Sequence, residues 1–395
     1  MKNKFYWLFG LVCFAMIWQG CASKEPKNEP KTALKTTLET ANLAATNFSL
    51  SDWGEAGATL LSINEAWKGS ANAQKYLLCP RERLGELGEL PKNMQVIATP
   101  VRRIVCTSTI QAAMLTLLGA TDNIAAMSDG KYIYDAQIAS RLAQNKIVDL
   151  GNDQVIDYER LLAAAPDIVL VFGLAAPAKM CNKLDELNIP SIYIAEYIEP
   201  TPLGRAEWIC VVGALLGKTA EARAIFEQNI YAPYEKLRLL ASQKAQNKPK
   251  PTVFTGIAYE GTWYVAGGRN FLATLIADAG GKYIFDADTT SSSLALSFEY
   301  VYAQAQKADI WLNVSQAKTK AELLGMDSRY ADFAAFAQGK IYSYHKRVSA
   351  NGGFDVFESA VVQPHLLLQD FMQIFHADSL RSDSLYYYLP LGSSK

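Results

Sequence analysis

The sequence predicts an α/β fold of two lobes, each a parallel sheet flanked by helices, joined by a long helical region. Three observations carry that prediction. Short apolar strands alternate with amphipathic helices from Val101 onward. A helical stretch from Pro202 to about Gln246 separates two such series. One phrase is also written twice, as DYERLLAAAPDIVL from Asp157 and more loosely as SFEYVYAQAQKADIWL from Ser297. With 395 residues, half of them apolar, the chain can bury one large or two ordinary cores.

The first lobe is expected over 101–201. RRIVCTST steps from two cations into a buried strand that ends in small hydroxyl residues, and TIQAAMLTLLGA continues as a helix closing on Gly119. NIAAMSD is a strand, AQIASRLAQNK a helix and IVDLG a strand. The helix opened by Asp157 stops at Pro166 before the strand DIVLVFG, and CNKLDELN and IPSIYIAEY add a last helix and strand. The connecting region spans 202–248, interrupted at Gly217-Lys218 and kinked at Pro233. The second lobe, 249–378, reads VFTGIA as a strand, FLATLIADAGG as a helix, SFEYVYAQAQ as a helix, ADIWLNV and KIYSY as strands, and VVQPHLLLQDFMQIFH as a final helix. Residues 379–395 are set down as a C-terminal tail.

Upstream, Lys2 and Lys4 precede an apolar run from Phe5 to Trp18 and then Gln19-Gly20-Cys21. The run is short for a membrane span and suits a secretory signal. A signal ending in Gly-Cys before the small, polar ASKEPKNEPKT resembles that of a bacterial lipoprotein, which implies a 1–21 signal, lipidation of Cys21 and a flexible tether over 22–47. Trp18 stands where such signals usually have a small aliphatic residue. Residues 48–100, with YLLC and MQVIATP as short strands, are read as an N-terminal extension packed on the first lobe.

Composition excludes several functions. Lys plus Arg (38) nearly cancels Asp plus Glu (39), and no long basic run occurs, so nucleic acid and anionic membrane surfaces are not expected partners. GALLGKT at Gly213 has one residue too few for a phosphate loop, no dinucleotide fingerprint follows a strand, and no G-x-S-x-G elbow is present. All three histidines, His345, His365 and His376, fall in the last fifth of the chain, so no metal site is expected between the lobes; His365 and His376 are read as helix-end residues whose charge suits the dipole. Cys79, Cys106, Cys181 and Cys210 match no metal or redox spacing, and Cys106 and Cys210 read as small buried residues. Binding without catalysis is the simpler reading.

Asp157 and Ser297 are good N-caps, which places Glu159 and Glu299 in the first turns of their helices, where the dipole favours a carboxylate. Recurrence in both lobes gives a second reading, that of two docking points for arginines of a partner.

The lipoprotein-like signal, RRIVCTSTIQAAMLTLLGA, DYERLLAAAPDIVLVFG, the connecting helix and SFEYVYAQAQKADIWL together resemble the substrate-binding proteins of ABC importers for iron complexes and cobalamin. The likeness covers most of 101–376. It implies two Rossmann-like lobes held by a rigid helix with a ligand cleft between them. It also implies a monomer tethered by lipid in the periplasm, with no enzymatic activity and no resident cofactor. The ligand would be an iron chelate such as a siderophore, haem or cobalamin, and Glu159 and Glu299 would meet a dimeric permease with its ATPase.

Ligand contacts are then expected in loops after strand C-termini. In the first lobe these are Thr107, Ser108, Tyr132, Tyr134, Phe172 and Tyr197. In the second they are Trp263, Tyr264, Arg269, Asn351 and Phe354, where Trp263 and Tyr264, as strand neighbours, face opposite ways and only one reaches the cleft. Arg269 reads equally as a contact for a ligand anion or as a structural ion pair. Alternatives kept open are a binder of another cargo such as an oxyanion, a chelatase-like α/β enzyme, and a surface scavenger feeding an outer-membrane receptor.

Overall fold

Two five-stranded sheets organise the computed structural model, which describes residues 41–395 apart from 93, 153–154, 174–176, 315–316, 377–384 and 393–395. The signal, Cys21 and most of the tether therefore lie outside the described residues. In the first lobe the strands Val148–Asp149, Ile124–Met127, Ile104–Cys106, Ile168–Phe172 and Ser191–Ile194 lie side by side in that order, all parallel. Ile104–Cys106 and Ile124–Met127 are buried along their whole length, as a sheet covered on both faces requires. In the second lobe the order is Lys282–Tyr283, Thr252–Thr255, Ile310–Leu312, Ile341–Ser343 and Leu389–Pro390, parallel except for the last pair.

That last strand revises the reading of 379–395 as a tail. Its described part packs into the lobe: Tyr387 and Tyr388 are buried, and the buried Asp370 carboxylate accepts the backbone N–H groups of Tyr386, Tyr387 and Tyr388 at 2.6, 2.7 and 3.1 Å. The helix expected over VVQPHLLLQDFMQIFH is broken into Ser359–Val362 and Pro364–His376, because Pro364 has no N–H to extend the first piece. His365 thereby lies at a helix N-terminus, where a cation is disfavoured, and burial lowers its pKa to about 4, so it is neutral. His376 is at the C-terminal end, its Nε2 hydrogen-bonded to the Ala279 carbonyl at 2.8 Å.

A three-stranded antiparallel sheet, Ala258–Tyr259, Thr262–Ala266 and Ser293–Ser297, was not expected. Its two-residue turn is Glu260-Gly261, both at positive φ, and Glu in place of Asn or Asp hides the hairpin signal. The connecting region is divided further than predicted, into Pro202–Glu207, Ile209–Leu215, Thr219–Ile225, a π-helical turn at Phe226–Tyr231, and Ala232–Ala245. The π turn lies just ahead of Pro233, which cannot donate to a regular ladder.

The N-terminal extension is a four-stranded sheet, Phe48–Asp52, Thr59–Ile63, Gln74–Pro80 and Gln95–Thr99. The tether ends before residue 47, earlier than expected, because two buried carboxylates, Glu199 just ahead of the connecting region and Glu207 in its first helix, fix the chain. Glu207 accepts the N–H groups of Leu43, Ala44 and Ala45 at 2.9, 2.8 and 2.7 Å. Glu199 accepts those of Thr46 and Asn47, together with the Trp208 indole N–H at 3.2 Å. Cys79, Cys106, Cys181 and Cys210 are all buried free thiols.

Candidate functional site

In each sheet the strand order reverses beside the lobe's first strand, and a crevice opens at the carboxyl ends of the strands there. In the first lobe that end is Cys106, followed by the helix Thr109–Leu117, whose first turn carries Ile110. In the second the ends are Thr255 and Leu312, the latter followed by Asn313. Ile110 and Asn313 are both walls of one cavity of about 310 Å³. Its other walls come from the start of the connecting region (Pro202, Arg205), the helix Phe271–Asp278 (Phe271, Leu272, Leu275), Tyr344, Tyr388, and residues of the segment 356–367. Most of these side chains are apolar, and Arg205 is the charged residue among them.

Arg205 is held from three sides. Its Nη2 donates to the Tyr197 carbonyl at 2.7 Å, its Nε to the Glu199 carbonyl at 3.3 Å, and its guanidinium lies 3.9 Å from the centre of the Phe271 ring. Burial lowers its pKa to about 10, with Glu196 and Glu199 opposing, so it is charged at neutral pH. Nη1 makes no hydrogen bond among the described residues, which leaves the guanidinium able to take an anionic group from a guest.

Glu196 is fully buried, and neither of its carboxylate oxygens has a hydrogen-bond partner among the described residues. Burial raises its pKa to about 7, with Arg205 pulling the other way. An acid whose folded pKa is raised contributes stability that is present below its unfolded value and lost as pH rises to the folded one. Glu358 and Asp370, raised by burial to about 7 and about 6, act in the same direction. His365, lowered to about 4, works the other way between its unfolded and folded values, but the three raised acids outweigh it, so thermal melts should show the protein more stable at pH 5 than at pH 8. Glu196→Gln should flatten that slope and stabilise the protein at pH 8 by up to about 3 kcal/mol; an unchanged slope would show that Glu196 is solvated or paired.

None of the eleven residues expected to touch ligand lines this cavity. Thr107 is corrected outright: it is buried, its hydroxyl donates to the Leu170 carbonyl at 3.0 Å and accepts the Phe172 N–H at 2.8 Å, and so stitches two strands. Ser108 is the N-cap of its helix, in a capping box with Gln111. Phe172 and Tyr197 pack edge to face at 5.3 Å, and the Tyr197 hydroxyl accepts the N–H of Lys68 in the extension. Trp263 is corrected as well: it is fully buried, donates to the Thr255 carbonyl at 3.0 Å and packs among Phe254, Phe298, Trp311, Tyr330 and Phe333. Its neighbour Tyr264 points outward and is 58% exposed. Arg269 is exposed, with no ion pair among the described residues, in the loop just before Phe271. Tyr132 and Tyr134 belong to a contact between the lobes beside the cavity, Phe354 packs on Tyr344 and Phe357 within the second lobe, and Asn351 is exposed.

The residues missed, Ile110, Arg205, Phe271 and Tyr344, carry a faint signal. Ile110 and Phe271 are apolar residues in the turn just after a capping residue, Ser108 and Asn270, where a helix facing water would place polar ones. Among the described residues no three His, Cys, Asp or Glu side chains converge in a metal-ligating group.

Glu159 and Glu299 are both exposed, and their helices follow the N-caps Asp157 and Ser297, whose side chains accept first-turn amides. They differ in one respect. Glu299 rests against Arg329 at 3.2 Å, whereas Glu159 has no cationic partner among the described residues.

The sequence profile of periplasmic binding proteins matches residues 104–348, more than half of the chain and spanning both lobes. The chain belongs to the periplasmic binding protein family. This binding protein is similar over nearly its whole length to a lipoprotein of Methanocaldococcus jannaschii, at 24% identity across 96% of this chain and 95% of that one. A second lipoprotein of the same organism is 27% identical over 74% of this chain and 75% of its own. Among solved structures, a periplasmic heme binding protein from Pseudomonas aeruginosa matches 75% of this chain and 99% of its own, with a TM-score of 0.57 at 15% identity. A periplasmic binding protein from Veillonella parvula matches 82% and 99%, with a TM-score of 0.55, also at 15% identity. At these identities the structural likeness speaks for the shared two-lobed fold.

Proposed function

We propose that this binding protein is the lipid-anchored substrate-binding component of an ABC importer, and that it captures an iron chelate, haem or cobalamin in the cavity between its lobes. The observation that carries the proposal is the cavity wall: apolar side chains from both lobes around one guanidinium fixed on an aromatic ring. Such a wall suits a large multi-ring guest that bears an anionic group. An oxyanion would need several converging donors to replace its hydration, and the wall supplies chiefly Arg205 and the Asn313 amide. The chelatase-like alternative has no support, because that chemistry needs a histidine or cysteine cluster at the cleft. Cys21 is the proposed lipid attachment site, in keeping with the lipoprotein names of the two archaeal relatives.

A thermal-shift screen with haemin, cyanocobalamin, ferric siderophores and molybdate tests the proposal. One of the first three should raise the melting temperature, and a shift with molybdate alone would overturn it. If the cargo carries a carboxylate, Arg205→Leu should weaken its binding by about 10- to 100-fold, the range for a lost charge-assisted hydrogen bond.

A further inference from the structure

The cavity is bordered by a strap. Residues Arg347–Asp355 form a hairpin: Val348 bridges Phe354, the Ser349 N–H donates to the Gly353 carbonyl at 2.8 Å, and the Asp355 N–H donates to the Arg347 carbonyl at 3.0 Å. This hairpin of the second lobe lies across the segment Tyr132–Asp135 of the first, and three contacts fasten it. The buried Glu358 carboxylate accepts two consecutive amides across the gap, from Tyr134 at 2.7 Å and Asp135 at 3.0 Å. Arg347, paired with Asp355, sits over the rings of Tyr134 at 4.8 Å and Tyr386 at 4.3 Å. Gly353 abuts the Tyr132 backbone so closely that a Cβ there would lie 1.7 Å from the Tyr132 carbonyl oxygen, so only glycine fits.

The same segment makes the cavity wall. Val356, Phe357, Ala360 and Val361 line it, so Glu358 is flanked on both sides by lining residues, and Tyr344, another wall, packs on Phe354 and Phe357 at 5.1 Å each. A volume of about 310 Å³ is also at the small end of ligand pockets, which run from roughly 300 to 1,000 Å³. A multi-ring guest therefore needs a wall to yield; Val356 and Phe357 belong to the segment strapped across the lobes by a few polar contacts, whereas Ala360 and Val361 ride on the helix Ser359–Val362.

We propose that the 347–358 hairpin is a gate: cargo enters and leaves when Glu358 releases the Tyr134 and Asp135 amides and the hairpin lifts off the first lobe. The proposal rests on the reading that the cavity is the cargo site, and its test is independent of the cargo. Hydrogen exchange at the Tyr134 and Asp135 amides reads the latch. Stopped-flow fluorescence of 1-anilinonaphthalene-8-sulfonate, an apolar anion suited to the wall, reads access to the cavity. In Glu358→Ala both amides should exchange at least about tenfold faster while the strand Ile168–Phe172 keeps its protection, and dye association should accelerate by a similar factor. Gly353→Ala, which drives the hairpin from the Tyr132 carbonyl without touching Glu358, should do the same. Unchanged amide exchange in both variants would overturn the latch, and faster exchange with unchanged dye kinetics would overturn the gate. If both hold but no chelate binds the wild-type protein, the gate stands and the assigned cargo fails.

Discussion

Replacing Glu159 and Glu299 together by alanine is expected, on the proposed importer function, to abolish stimulation of the permease-coupled ATPase while leaving cargo affinity unchanged. Both carboxylates are exposed, and neither lines the cavity. Their helices do not depend on them, since Asp157 accepts the Glu159 and Arg160 amides at 3.1 and 3.0 Å, and Ser297 accepts the Tyr300 amide at 3.2 Å. Losing a first-turn carboxylate costs each helix about 0.3–1 kcal/mol, too little to unfold the protein. The Arg329 contact is compatible with the proposed docking role of Glu299, because an exposed, solvent-screened ion pair contributes little and can exchange for another arginine. ATP hydrolysis by the permease complex in vesicles, measured with cargo-loaded protein, reads the effect. Each single variant should lose part of the stimulation. Loss of cargo binding in the double variant would instead make the glutamates cavity or fold residues.

The parallel sheets were legible because their strands are short runs buried on both faces, such as IVC and IVLVF, set between helices with clear caps and stops. The connecting region announced its length but not its divisions. The break at Trp208 exists because that indole is buried against Phe48 and hydrogen-bonded to Glu199, which are tertiary contacts that helical periodicity does not encode. Nothing in the sequence marks Glu199, Glu207 and Asp370 as buried. Their burial follows from runs of backbone amides brought to them from far along the chain, from 43–47 and from 386–388.

The position of the cavity between the lobes was legible and its lining was not. The rule of looking beyond strand C-termini leads to the right edge of each sheet, and the cavity walls lie two or three residues past several chosen positions: Ile110 beyond Thr107, Phe271 beyond Arg269 and Phe357 beyond Phe354. The choice favoured aromatic and hydroxyl residues, but this protein spends many of its aromatics on packing. Trp263 anchors the second lobe's core and Tyr197 holds the N-terminal extension. Arg205 was hidden because an arginine in a helical stretch signals only a solvated face until the fold brings Phe271 beneath it.

The central claim, that cargo occupies the cavity between the lobes, is tested most directly by filling it. Val361 is a half-buried wall residue, and a tryptophan there projects an indole into the open volume rather than into packed core, which keeps the cost to stability below the roughly 1–3 kcal/mol of an overpacked interior. The measurement is a calorimetric titration of Val361→Trp with whichever chelate binds the wild-type protein, alongside Tyr264→Ala on the exposed outer face as a control. The account predicts affinity weakened by about 100-fold or more in Val361→Trp, close to 2.7 kcal/mol, and unchanged in the control. Wild-type affinity in Val361→Trp would contradict it and place the cargo elsewhere.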